Sequence, residues 1–334
     1  MRLGFGLALV YALLAGCGDA GKVPEPNSDG LIPVILQTDW YAQPEHGGFY
    51  QAQAKGFYAE EGLDVEIRPG ANLNTQPQMV ALGRVQFSVG AIETLFMHRS
   101  RNIPLVSLFP YFQHDPQCIL FHKESGIETL QDLDGREVMI SPGSVYTDFL
   151  QQAMGLELQL IPMDWSLARF MAEKTFIQQC FLTSEPVTLR RQGIDAGVIP
   201  MSESGFDPYR HVYTNEALAE QQPELVKGFI RASLRGWRDF MEGDPSPAFE
   251  AIMASNPQQN LEVMADILEQ MKTYQLTEGK VDEGEELGQY NLARIRRVLS
   301  QLEDLGLLGT EVTLEDSIAT GLLPQELLVD RPLP

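Results

Sequence analysis

From Leu31 onward, short apolar runs alternate with stretches whose apolar residues recur at helical spacing. The run I-P-V-I-L, residues 32–36, predicts a strand. Residues 48–62 carry Phe49, Ala52, Ala54, Phe57 and Tyr58 and stop at Gly62, which predicts a helix. L-D-V-E-I then alternates with period two, the pattern of a half-exposed strand. A helix over 76–82 follows, then V-Q-F-S-V-G-A, a strand ending on small residues, and P-L-V-S-L-F-P-Y, another strand. Repeated β-α-β order predicts a mostly parallel sheet covered by helices.

Near Gln113-His114-Asp115-Pro116 the chain changes domain, and a second α/β unit begins. Its strands are Q-C-I-L-F-H-K, E-V-M-I-S-P-G-S, L-E-L-Q-L-I-P, F-I-Q-Q-C-F-L and A-G-V-I-P. Helices are expected over 146–154, from Trp165 to Glu173, and over 185–192, with a short helix and turn at 126–136. After Tyr209 the pattern turns helical. Apolar residues follow helical faces over 223–242, 245–255, 261–274 and 288–305.

The chain has 334 residues, enough for one large or two medium domains. Its formal charge of −22 argues against nucleic acid as a partner, because binding it takes a basic face. The acidity is spread along the chain, as on a solvated surface. At the start, Arg2 precedes an apolar stretch from Leu3 to Ala15, too short to span a bilayer comfortably, and this predicts a signal peptide over 1–16. Leu14-Ala15-Gly16-Cys17 resembles a bacterial lipobox, which implies cleavage before Cys17 and lipidation of its thiol. Residues 17–31 then read as a polar, lipid-anchored tether on the outer side of a membrane. Cys118 and Cys180 lie in apolar, strand-like runs; an exported protein can pair them, the runs suit buried free thiols equally well, and free thiols are preferred because sequence does not show the geometry a bridge requires. No Cys/His cluster has metal-ligand spacing, so neither metal nor cofactor is expected.

Three stretches carry a family resemblance. They are residues 39–67, opening D-W-Y-A-Q-P-E-H-G-G-F-Y, residues 126–144, G-I-E-T-L-Q-D-L-D-G-R-E-V-M-I-S-P-G-S, and residues 222–240, Q-P-E-L-V-K-G-F-I-R-A-S-L-R-G-W-R-D-F. Together the chain resembles the type II periplasmic substrate-binding proteins. The D-W pair, the following His, A-K-G-F-Y-A-E-E-G-L and T-S-E-P at 183–186 are similar to the thiamine-pyrimidine-biosynthesis-like (NMT1/THI5-like) subfamily. The resemblance implies an α/β clamshell of two lobes, each a mostly parallel sheet flanked by helices, with a C-terminal helical extension on lobe 1. Lobe 1 is expected over 32–113 and 205–334, and lobe 2 over 114–204. Hinge closure around a small-molecule ligand and docking on an ABC transporter permease are implied as well. Relatives in this broad group bind pyrimidine precursors, riboflavin, alkanesulfonates or nitrate.

In open α/β sheets, ligands sit beyond the carboxyl ends of the strands. Trp40 and Tyr41 stand at the first strand end and offer a stacking surface. His46 with Gly47 and Gly48 begins the next helix; their N–H groups can meet an acceptor, or His46 can be structural. Gly90 and Ala91 allow close approach, and Glu93 either takes an amino group or stabilises a helix N-terminus. Gly143 and Ser144 precede a helix, with Ser144 a ligand contact or an N-cap. Glu185 either accepts from an aminopyrimidine or flavin ring or stabilises its helix. Tyr111, Gln113 and His114 are weaker candidates near the hinge. No Arg or Lys occurs among these strand ends, which argues against an anionic solute and for a neutral or amine-bearing ring.

Two rivals stand beside an import role. One is a ligand-sensing subunit built on the same clamshell. The other is an enzyme: fungal members of the superfamily make the thiamine pyrimidine with pyridoxal phosphate. Their cofactor Lys and donor His correspond here to Gly90–Leu95, which has neither. Paired acids such as Glu60-Glu61 and Glu285-Glu286 read as solvated.

Overall fold

The computed structural model describes residues 20–70, 75–141 and 143–333. The expected signal peptide and Cys17 lie outside the described residues. Of the expected tether, residues 20–31 lie against lobe 1. Val23 packs on the core, and Asn27 Nδ2 donates to Asp64 Oδ2 at 3.0 Å. No helix of the described residues is long and apolar enough to cross a membrane.

The chain opens with β1 (Ile32–Gln37), β2 (Leu63–Arg68), β3 (Phe87–Ala91) and β4 (Leu105–Phe112). It then crosses to a second sheet made of β5 (Gln117–His122), β6 (Glu137–Ile140), β7 (Gln159–Pro162), β8 (Gln178–Phe181) and β9 (Ala196–Pro200). It returns as β10 (Arg210–Asn215), which inserts between β3 and β4. The sheet orders are β2-β1-β3-β10-β4 and β7-β6-β8-β5-β9. In each, four strands run one way and one runs against them: β10 is antiparallel to both neighbours, as is β5. The antiparallel strand is the first one laid down after each crossing. The two lobes therefore share one topology.

Strand β10 departs from the helical reading after Tyr209. Its run R-H-V-Y-T-N lies buried yet is rich in polar groups, so no hydrophobic pattern marks it. Each polar side chain finds a partner in lobe 1. Thr214 Oγ1 donates to the Gln86 carbonyl at 2.6 Å, Asn215 Nδ2 to the Val80 carbonyl at 2.9 Å, and His211 meets Ser107. Buried polar groups are tolerated only when paired in this way.

Lobe 1 has the deeper core. The Pro223–Glu242 helix lays twelve buried residues against the Gly47–Ala54 helix and the sheet. Trp237 is wholly buried among Phe49, Tyr111, Phe112 and Phe240, and Phe229 stacks on Phe87 at 3.8 Å. Such aromatic pairs contribute about 1 kcal/mol each beyond area burial. This core also explains Gly47 and Gly48. A Cβ on Gly48 would lie 2.1 Å from the Trp237 ring, and one on Gly47 would lie 2.2 Å from Phe240. Helix contact, not ligand approach, requires these glycines.

In lobe 2, the expectation of free thiols is corrected. Cys118 and Cys180 face each other across the β5–β8 pair with Cα atoms 4.8 Å apart, and they form a disulfide. Antiparallel register opposes two residues separated by 62 positions. The helix expected from Trp165 starts only at Ala168, because Trp165 sits at φ +62° in a loop. Glu285, read as solvated, lies 13% exposed in an ionic cluster at the lobe crossing.

Candidate functional site

A cavity of about 240 Å³ lies between the sheets, where the carboxyl ends of β1, β4, β6 and β8 converge. Because β5 and β10 run antiparallel, their beginnings point to the same place. Gln117 and Arg210, the first residues of those strands, line the cavity.

Asp39 and Arg210 form its charged floor. The Arg210 guanidinium bonds Asp39 Oδ2, while His46 Nε2 lies 3.0 Å from Asp39 Oδ1. Burial alone would raise the Asp39 carboxyl. The Arg210 charge and the His46 hydrogen bond outweigh it and hold Asp39 below its ordinary value. Burial likewise opposes the charge on Arg210, and Asp39, Tyr111 and Asp115 restore it. The guanidinium also faces the Phe181 ring of lobe 2 at 5.9 Å. The turn holding Asp39 is fixed by Thr38, whose hydroxyl donates to the Trp40 carbonyl at 2.7 Å.

The mouth is aromatic. Trp40 of lobe 1 and Trp165 of lobe 2 approach to 5.5 Å between ring centres. Trp165 is 54% exposed, and its loop is braced by Ser166 N donating to Asp164 Oδ1 at 2.9 Å. Tyr41 packs edge-on against Trp40, half exposed and outside the lining.

Lobe 2 contributes neutral polar groups. Gln179 Oε1 accepts from Ser141 N at 2.7 Å, and Gln179 Nε2 donates to Gln117 Oε1 at 3.0 Å. Ser144 lines the cavity, and its hydroxyl donates to the Ser141 carbonyl at 2.9 Å instead of capping the next helix. Glu185 Oε2 accepts from Phe181 N at 2.8 Å, and burial raises its carboxyl. From lobe 1, Glu45 Oε1 accepts from Thr183 Oγ1 at 2.5 Å, a buried bond between the lobes.

Of the residues singled out from sequence, Trp40, His46, Ser144 and Glu185 meet at this cavity. Gly90, Ala91 and Gly143 line an adjoining space of about 490 Å³ that shares Asp39 and Arg210. Glu93 lines neither; it is buried beside Asp115 in the first turn of the Ile92–Arg99 helix. Sequence reasoning missed Asp39, Glu45, Trp165 and Arg210. Asp39 and Glu45 flank residues already singled out. Arg210 overturns the expectation of a cleft without cations; it opens a strand that no periodicity announces.

The family described as "NMT1/THI5 like" matches residues 43–248. The chain is 23% identical over 275 residues to the formylaminopyrimidine-binding protein of Halalkalibacterium halodurans, covering 79% of this chain and 82% of the relative. It is 26% identical over 253 residues to the riboflavin-binding protein RibY of Chloroflexus aurantiacus, covering 71% of each. A third relative, from Legionella pneumophila, is named 4-amino-5-hydroxymethyl-2-methylpyrimidine phosphate synthase; identity is 26% over 256 residues, covering 67% of this chain and 74% of the relative. Among solved structures, the periplasmic aliphatic sulphonate binding protein SsuA from Escherichia coli superposes with a TM-score of 0.67 at 12% identity, covering 86% of this chain and 91% of that one. That likeness establishes the two-lobed periplasmic-binding-protein fold.

Proposed function

The chain belongs to the NMT1/THI5-like family, and on that premise we propose that it is an extracytoplasmic solute-binding protein for a small, flat heterocycle of the thiamine-pyrimidine kind. It delivers this solute to an ABC import permease and is anchored to the membrane through lipidated Cys17. The observation that carries the reading is the composition of the cavity. It joins an indole mouth, Trp40 and Trp165, to the carboxyl groups Glu45 and Glu185, while Arg210, the one Arg or Lys among the described residues lining it, is already paired with Asp39. Aromatic faces hold a flat ring, and carboxyl oxygens accept from its N–H groups. A sulfonate or nitrate finds no uncommitted guanidinium there.

The reading is a binding protein, not a synthase. Lysine is absent from the residues lining the cavity, so no amine stands ready for a Schiff base with a cofactor aldehyde. A riboflavin-sized solute is the second reading. It is favoured by the 490 Å³ space beyond Asp39 and Arg210, which can take a larger ring system or a side chain.

A thermal-shift screen of the full chain tests both. Aminopyrimidines, thiamine, riboflavin, taurine, alkanesulfonates and nitrate form the panel. At 100 times its dissociation constant a ligand adds about 2.7 kcal/mol of stability. A shift with an aminopyrimidine is expected. Shifts confined to the anions overturn the reading, and a shift confined to riboflavin replaces it with the second.

A further inference from the structure

Glu45 is a carboxyl of lobe 1 that lines the cavity and reaches across the cleft to bond lobe 2. It sits in the short Pro44–His46 turn and is 5% exposed. One oxygen, Oε1, is taken by the hydroxyl of Thr183, which is fully buried at the end of β8. The other, Oε2, is buried with no hydrogen-bond partner, in a side chain that lines the cavity. An unmatched buried acceptor of this kind is costly unless something donates to it.

We infer that Glu45 is a specificity-determining residue: closure of the lobes fixes one oxygen on Thr183 and leaves the other to receive an N–H donor of the solute, so the closed cleft selects a donor-bearing, amidine-like edge. This rests on the proposed solute-binding role and deepens it. The charged groups around Glu45 agree. His46 lies next to it in the chain and is turned to Asp39; Glu185 faces it from lobe 2; Asp39 and Arg210 satisfy each other across the floor. Burial first, and the Glu185 charge in addition, raise the Glu45 carboxyl. Two carboxyl groups brought together from opposite lobes repel an anionic solute and welcome one that donates. Thr183 ties this choice to closure, because the Glu45–Thr183 bond can form only when the lobes are together.

Isothermal titration of the full chain tests the inference. The probes are 4-amino-5-hydroxymethyl-2-methylpyrimidine, its analogue lacking the amino group, adenine, benzamidine and methanesulfonate. Wild type is expected to prefer the amino compound over the analogue at least tenfold. Glu45→Gln keeps an acceptor for Thr183 but turns an NH2 toward the solute. It should weaken the amino compound at least tenfold and erase the preference. Thr183→Val should weaken both pyrimidines by one common, smaller factor of about three. Glu45→Asp, which keeps the charge but withdraws the oxygen, serves where the Gln variant does not fold and should also reduce the preference. Equal weakening of both pyrimidines by Glu45→Gln, or no weakening, overturns the inference. So does wild-type silence toward every donor-bearing probe, or binding of methanesulfonate alone. Binding of adenine or benzamidine without any pyrimidine leaves the role of Glu45 standing and overturns only the thiamine-pyrimidine reading.

Discussion

The two lobes are built on one topology and bring different chemistry to the cleft. Lobe 1 supplies a charged floor, Asp39 and Arg210, with His46 bonded to Asp39, seated on Tyr111 and the aromatic core around Trp237. Lobe 2 supplies mainly neutral groups, Ser141, Ser144, Gln117 and Gln179, tied to one another, together with the carboxyl of Glu185, which accepts from Phe181 N. Support differs accordingly. Lobe 1 is stiffened by the twenty-residue Pro223–Glu242 helix, whereas lobe 2 joins β5 to β8 through a disulfide. The difference teaches that a shared fold need not mean shared duties. A desolvated ion pair needs a rigid setting, because its energy depends on geometry.

The contrast breaks most severely from the lobe 1 side. Arg210→Met removes the partner of a largely buried carboxylate, whose side chain is 27% exposed beside an arginine at 12%. Losing one member of such a pair costs about 3–5 kcal/mol. Denaturant unfolding should register that loss, and Asp39→Asn added to Arg210→Met should recover part of it. No recovery would mean that Arg210 acts through packing alone.

Lobe 2 is addressed by its disulfide. Replacing Cys118 and Cys180 with serine reopens a loop of 62 residues and should lower stability by about 2–4 kcal/mol. Hydrogen exchange is expected to speed up in β5 and β8 and to leave β1 and β3 unchanged. Equal acceleration in both sheets would show that the lobes unfold as one unit.

Binding sharpens the comparison further. Trp40→Ala, in lobe 1, should lower affinity for the bound ring at least tenfold, about 1.4 kcal/mol. Trp165→Ala, on the exposed loop of lobe 2, should lower it less. Titration calorimetry decides, and the reverse order would make lobe 2 the principal stacking surface.

A last expectation concerns pH and the buried groups near the crossing between the lobes. His114 Nδ1 bonds Asp207 Oδ2 at 2.7 Å, His114 Nε2 lies 3.0 Å from Glu285 Oε2, and Arg294 bonds Glu285. Burial alone would lower the His114 imidazole, but Asp207 and Glu285 outweigh it and raise it to about 9. Glu93, by burial first and the Asp115 charge second, is pushed up to about 8. Each group therefore holds a proton in the folded chain that it has shed when unfolded. His114 does so from pH 6.5 to about 9, and Glu93 from pH 4.5 to about 8. Stability falls across those windows as pH rises, by up to about 1.4 kcal/mol per pH unit for each group and so by about 2 kcal/mol per pH unit near neutrality, where the windows overlap. Glu93→Gln should flatten the fall below pH 8, and His114→Gln should flatten it above. A flat profile in wild type would remove both assignments.

Much of this was legible in the order of residues. Helix and strand periodicities marked nine of the ten strands in the two main sheets, and the strand-end rule put Trp40, His46, Ser144 and Glu185 at one cavity. These features depend on which side of an element is buried, and that is written locally. The tenth strand, β10, was not legible, because its buried polar residues are satisfied by Gln86, Val80 and Ser107, far away in the chain. The same holds for the Asp39–Arg210 pair, 171 residues apart, for the Cys118–Cys180 bridge, and for Gly47 and Gly48 beneath Trp237 and Phe240. The sequence alone determined most of the elements, the family and the end of the sheets where the cavity lies. Only the tertiary structure decided which charges, thiols and rings face one another, because partnership depends on register and crossing geometry between segments that local pattern cannot relate.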